Sequence, residues 1–195
     1  MKSRSRPYRM TRRAEAAEAT GQRILDAARA LFVELPFDEL TLEQVARRAG
    51  VTLQTVLRRF GSKAGLITAL GQTVGAEVDA QRFQVTPGEL GAIVENLFDH
   101  YETTGRTALK LLAQEERFDE IAAFTRQGRG VHERWVRHAF GPWLARRRGA
   151  ARRRLELQLI AVCDVSTWKV LRLDRRVSRR EAEQVVRGVL EPLCR

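Results

Sequence analysis

The chain has 195 residues, 44% of them hydrophobic, and 35 Lys and Arg against 24 Asp and Glu give it a formal net charge of +11. No apolar run approaches the roughly 20 residues that span a bilayer, and the basic N-terminus is not followed by the apolar segment of a secretory signal. Cys163 and Cys194 are too isolated for a disulfide framework or a Cys-x-x-Cys zinc site. A globular, cytoplasmic protein is therefore expected, and its charge implies a polyanionic partner, a basic surface near a membrane, or an arginine-rich proteome. Lys2, Lys63, Lys110 and Lys169 are the only lysines, so an arginine-rich coding bias also contributes to the charge.

Residues 1–13 carry Lys2, Arg4, Arg6, Arg9, Arg12 and Arg13 with no acid and no apolar period, which reads as a flexible basic arm, taken as far as residue 19. An amphipathic helix is expected from Thr20 to about Glu34, with Ile24, Leu25, Ala28, Leu31 and Phe32 inward, until Pro36 breaks it. Thr41, with Gln44 three residues on, has the pattern of a capping box. Leu42, Val45, Ala46 and Ala49 follow at spacings of three and four. Gly50 then suits a left-handed stop, and Thr52 caps a second short helix with Leu53, Val56, Leu57 and Phe60 inward. Two short helices about a tight glycine turn have the helix-turn-helix layout, in which the second helix enters the DNA major groove, with an αα-hairpin of no nucleic-acid role as the other reading of the same pattern. Ser62 caps a further helix through Leu66, Ile67 and Leu70, and Lys63 places a full charge at its N-terminus.

The run Ile24-Leu25-Asp26-Ala27-Ala28-x-x-Leu31-Phe32, then Phe37-x-x-Leu40-Thr41-Leu42-x-x-Val45-Ala46-x-x-Ala49-Gly50-Val51-Thr52, then Phe60-Gly61-Ser62-Lys63-x-x-Leu66 resembles the N-terminal domain of tetracycline-repressor (TetR) family transcriptional regulators. The resemblance covers roughly residues 20–70. One departure is Leu57, where the family usually has a tyrosine whose hydroxyl meets a phosphate; this shifts backbone positioning toward Arg58, Arg59 and Lys63. On the second helix the outward set is Thr52, Gln54, Thr55, Arg58 and Arg59. Gln54 and Thr55, early in the helix, are expected to read base edges. Thr41, Thr52 and Lys63 are expected on phosphates, and Arg58 and Arg59 on either.

Beyond residue 71 the pattern remains helical: one segment to about Arg82, one from Thr86-Pro87 to Gly105, shorter ones over 107–116 and 118–140, and two strong helices over 155–173 and 178–193. No β-alternation appears. The expected fold is all-α, an N-terminal three-helix helix-turn-helix domain (residues 20–70) followed by a helical ligand-binding and dimerisation domain (71–195). The resemblance implies a ligand site in the middle helices and a homodimer built on the last two. Phe98, Tyr101, Phe124, His132, Trp135 and Trp168 are the pocket candidates. Leu155, Leu159, Val162, Val186, Val189 and Leu190 are the interface candidates, with burial within one chain as the other reading of the same faces. Arg146 to Arg148 and Arg152 to Arg154 read as a solvated basic loop.

His132 and His138 lie six apart, off the three- or four-residue metal spacing. No nucleophile elbow, phosphate loop or Cys/His dyad is visible, so neither catalytic nor metal residues are assigned, and no cofactor is expected. The leading expectation is a homodimeric repressor on a palindromic operator in double-stranded DNA, released by a small apolar or amphipathic effector, with no membrane role. A helix-turn-helix regulator without a ligand is the alternative, and a helical enzyme a weaker one.

Overall fold

The computed structural model describes the backbone from Ser5 to Arg195 and the side chains from Ala14 onward. Its elements are α-helices and one π-helical turn, with no strand among the described residues. No described helix is long and apolar enough to cross a membrane. The chain divides into two compact units, one ending at Thr73 and one running from Val74 to Arg195.

The first unit holds α1 (Ser5–Glu34), α2 (Leu42–Ala49), α3 (Leu53–Phe60) and the start of α4 (Lys63–Arg82). The arm expected over residues 1–19 is corrected from Ser5 onward: the backbone there is already α1. Ala14-Glu15-Ala16-Ala17-Glu18-Ala19 explains the extension, because alanine and glutamate are among the strongest helix formers and need no apolar period to propagate a helix. Residues 1–4 lie outside the described ones. Ile24, Ala28, Leu31 and Phe32 of α1 are buried together with Phe37, Leu40, Val45, Ala46, Val56, Leu66 and Ile67. Phe37 meets Phe32 edge-on at 6.2 Å between centroids, closing the loop after α1.

The second unit holds the end of α4, then α5 (Leu90–Leu112), α6 (Asp119–Ala139), α7 (Gly141–Ala145), α8 (Gly149–Val162), α9 (Val165–Lys169), a π-helical turn (Val170–Asp174) and α10 (Arg179–Leu193). Three expected boundaries move. The helix capped at Ser62 and the segment ending at Arg82 are one helix, α4. Gly105 does not stop α5; it makes room for Trp168, since a Cβ there would lie 2.6 Å from the indole ring. The helix expected over 155–173 breaks at Cys163, because the Asp164 carboxylate accepts the Ser166 amide at 2.8 Å and starts α9.

Four of the six interface candidates lie inside this unit. Leu155, Leu159, Val186 and Leu190 are buried in the core, Val162 is half-buried, and only Val189 is exposed. The i, i+4 stripes of α8 and α10 seal the core of their own chain before any partner is met. The outward apolar positions are instead Leu157 on α8 and Val185 and Val189 on α10, each about half exposed.

Candidate nucleic-acid interface

The α2–α3 unit is built from caps. Thr41 accepts the Gln44 amide at 3.2 Å while the Gln44 side chain accepts the Thr41 amide at 2.8 Å, a closed capping box. Gly50 ends α2 in the left-handed region at φ 66°, its amide turned back to the Ala46 and Arg47 carbonyls. Thr52 then caps α3 by accepting the Thr55 amide, and the two hydroxyls stand 3.0 Å apart. Val56, fully buried, anchors α3, with Leu53, Leu57 and Phe60 half-buried at its sides.

This anchoring sorts the expected contact residues. Gln54 and Arg58 sit four apart on the exposed face of α3, and neither makes a side-chain hydrogen bond or ion pair among the described residues. Thr55 is half-buried beside them. Thr41 and Thr52 are exposed, and each hydroxyl oxygen is used as a cap acceptor; Thr41 keeps its proton to donate, while in the Thr52–Thr55 pair either hydroxyl can be the donor.

Two of the expected cations are engaged within the unit. The Arg59 guanidinium folds back over Gly21 of α1, donating to the Ala17 carbonyl at 3.0 Å and the Glu18 carboxylate at 2.6 Å. The Lys63 ammonium donates to the Phe37 carbonyl and lies 4.0 Å from the centroid of the Phe37 ring, tying α4 to the loop after α1. Sequence reasoning missed these ties. Gly21, an interior helix glycine, was the available signal for the first: only a residue without a Cβ admits a guanidinium against the backbone there. It also missed Arg48, which binds Glu34 in a bidentate pair, with Nη2–Oε1 at 2.7 Å, and holds the Glu34 carboxyl below its usual range.

In the second unit the pocket candidates are mostly core. Phe98, Tyr101, Trp135 and Trp168 are buried, with Tyr101 donating to the Cys163 carbonyl at 3.1 Å and the Trp168 indole to Glu102 at 3.1 Å. His132 and Phe124 are half-buried. The candidates line neither of two surface concavities of about 440 and 430 Å³, the first between α5 and α10 around Glu95, Glu183 and Arg187, the second on the outer face of α8 around Arg153, Leu157 and Ala161. Arginines 152 to 154 stand exposed on the first turns of α8 rather than in a loop, and Arg147 donates to the Arg195 carbonyl at 3.2 Å.

Residues 24–70 match the family described as bacterial regulatory proteins, tetR family. The HTH-type transcriptional regulator BetI 2 of Chromohalobacter salexigens is 32% identical over 100 residues, 47% of this chain and 48% of that one. The HTH-type transcriptional regulator SrpR of Pseudomonas putida is 44% identical over 54 residues, 28% of this chain and 25% of that one. The chain thus spans about half or less of the length of these curated relatives. Among solved structures, a tetR-family transcriptional regulator from Streptomyces coelicolor superposes with a TM-score of 0.67 at 21% identity, covering 89% of this chain and 81% of that one. GusR of Salmonella enterica superposes with a TM-score of 0.70 at 18% identity, covering 90% and 95%. The fold is shared along nearly the whole chain, while the family match covers residues 24–70, which include α2 and α3. Residues 24–70 thus carry the N-terminal domain of the tetR family of bacterial regulatory proteins, on a chain whose fold is that of tetR-family structures.

Proposed function

We propose that the chain is a cytoplasmic, DNA-binding transcriptional regulator that acts as a homodimer on a palindromic operator and leaves it when a small-molecule effector binds. The observation that carries the reading is the exposed, uncommitted face of α3, where Gln54 and Arg58 share one ridge of a helix whose other face is anchored by Val56. Glutamine pairs bidentately with adenine and arginine with guanine in the major groove. The capped N-termini of α2 and α3, with the Thr41 and Thr52 hydroxyls, suit phosphate oxygens. The net charge of +11 supports a polyanionic partner.

Dimerisation is supported by the outward apolar residues Leu157, Val185 and Val189, which lie on the last two long helices. A two-fold dimer spaces its two α3 copies for successive major grooves, about 34–36 Å apart. Selection from a pool of random duplexes tests both parts. The wild type enriches an inverted repeat and sediments as a dimer. Leu157→Glu yields a monomer and loses the inverted repeat; enrichment of no sequence contradicts the reading. A regulator without a ligand is the second reading, favoured by the close packing of Phe98, Tyr101, Trp135 and Trp168, and it predicts no release by any small molecule.

A further inference from the structure

The end of α4 carries Arg82 into the middle of the second unit, where its side chain is 1% exposed. Its guanidinium carbon lies 3.8 Å from the centroid of the Trp135 ring and 5.7 Å from that of Tyr101. Trp135 and Tyr101 are thus its aromatic neighbours, and Tyr101 also acts on it through a side-chain hydrogen bond. Two of its nitrogens, Nε and Nη2, are buried and have no hydrogen-bond partner among the described residues. Those two nitrogens form the side fork of a guanidinium, whose parallel N–H bonds match the two oxygens of a carboxylate.

Among the described residues no carboxylate pairs with this charge. The groups that act on it are Tyr101 and Cys163, and burial holds the protons on both, pushing the phenol well up and the thiol to about 12. Burial also keeps the neighbouring histidines neutral, His100 being pushed down to about 3 and His132 lowered. Arg82 itself stays charged, since burial lowers it from a very high starting value. The half-buried Asp164 carboxylate acts on Tyr101, His132 and Cys163 but is not among the groups that act on Arg82, whose buried charge stands beside neutral rings. Unpaired, such a charge is costly to bury, and a ligand that supplies the counter-charge recovers that cost.

Two more polar atoms in the cluster have no partner. The His132 Nε2 faces the Ile160 carbonyl at 3.0 Å, and a carbonyl only accepts, so Nε2 carries the proton and Nδ1 is an unpartnered acceptor. The indole N–H of Trp135, whose ring stacks on His132 at 6.1 Å, is an unpartnered donor.

We infer that this core cluster is a binding site for a small organic monoanion, a carboxylate on an apolar body, with the Arg82 fork as its charge partner. The inference rests on the effector reading above and names the effector's chemical class. A single buried charge beside neutral rings suits a monocarboxylate over a doubly charged phosphate, which would enter with one charge uncompensated. It equally disfavours a cation.

The test uses the full chain, with octanoate, phenylacetate and indole-3-acetate, each beside its neutral amide, followed by thermal melting and calorimetric titration. At least one acid raises the melting temperature and binds ten times or more tightly than its amide. Arg82→Met removes that preference and melts higher than the wild type without ligand, because an apolar chain of similar length replaces an unpaired charge. Equal affinity for acid and amide, no shift with any of the three acids, or an Arg82→Met protein that fails to fold or melts below the wild type overturns the site. Operator binding by the ligand-free protein is measured alongside. Acid binding without operator binding defeats the regulatory reading and leaves this site standing; operator binding without acid binding defeats this site alone.

Discussion

Arg58 and Arg59 are adjacent in sequence and have different uses. A helix turns by about 100° per residue, so one guanidinium projects from the exposed ridge with Gln54 while its neighbour swings back to Glu18 and the Ala17 carbonyl. The helical period predicted that both would be exposed, and both are. It carried no information about a partner 41 residues away on α1, and long-range partners likewise hold Arg48 and Lys63. His100 shows the same limit. Its placement near Arg82 and His132, with the Thr104 hydroxyl 3.3 Å from Nε2, is a tertiary fact that no local pattern carries. Its folded value of about 3 lies below the ordinary 6.5. Between those values the unfolded chain binds the extra proton, so stability is full above about 6.5 and falls with pH below it. His132, also lowered, adds in the same direction. The paired carboxylates Glu34, Glu102 and Glu115 titrate below 4.5 and leave the window above clear. Melting temperature should therefore hold steady from pH 8 to about 6.5 and drop from there to 5, with His100→Gln flattening the drop. A flat wild-type profile over that window contradicts the burial of neutral histidines.

At the scale of elements, capping chemistry was the most legible signal. Thr41 with Gln44, Gly50, Thr52 and Ser62 were each placed from sequence, because a cap is a local agreement between one side chain and amides two or three residues away. Boundaries inside long helices were not legible. Gly105 and Gly128 both carry a helix-breaking propensity that the fold overrides, the first because Trp168 packs onto it, the second at no steric gain. Gly65 was passed over in the sequence, yet it is what allows the turn from α3 into α4. A Cβ there would lie 2.0 Å from the Phe60 carbonyl oxygen, a backbone atom with nowhere to go. Gly65→Ala is expected to cost about 2 kcal/mol or more in urea unfolding. Gly128→Ala, with nothing within 4 Å of the added carbon, should stabilise by up to about 1 kcal/mol. Equal effects at the two positions would refute this view of the turn.

For the whole molecule, the all-helical class was readable from the helical period, since it depends on averages over many residues. Which apolar stripe of α8 and α10 faces inward was not. Leu155 and Leu159 on one side and Leu157 on the other are equally apolar, and only packing on the rest of the unit distinguishes them. The charge of +11 likewise belongs to the molecule as a whole: it predicts affinity for DNA and its loss with salt, but no choice of sequence. Choice of sequence is assigned to the exposed ridge of α3, and this is the central claim. It is tested most directly by titrating wild type and Gln54→Ala against the selected operator and a set of its single-base variants at one fixed salt concentration. The account predicts that the substitution relaxes discrimination at one base step in each half-site by about 1–3 kcal/mol and leaves discrimination at the other positions unchanged. A uniform loss of affinity across all the duplexes would contradict it.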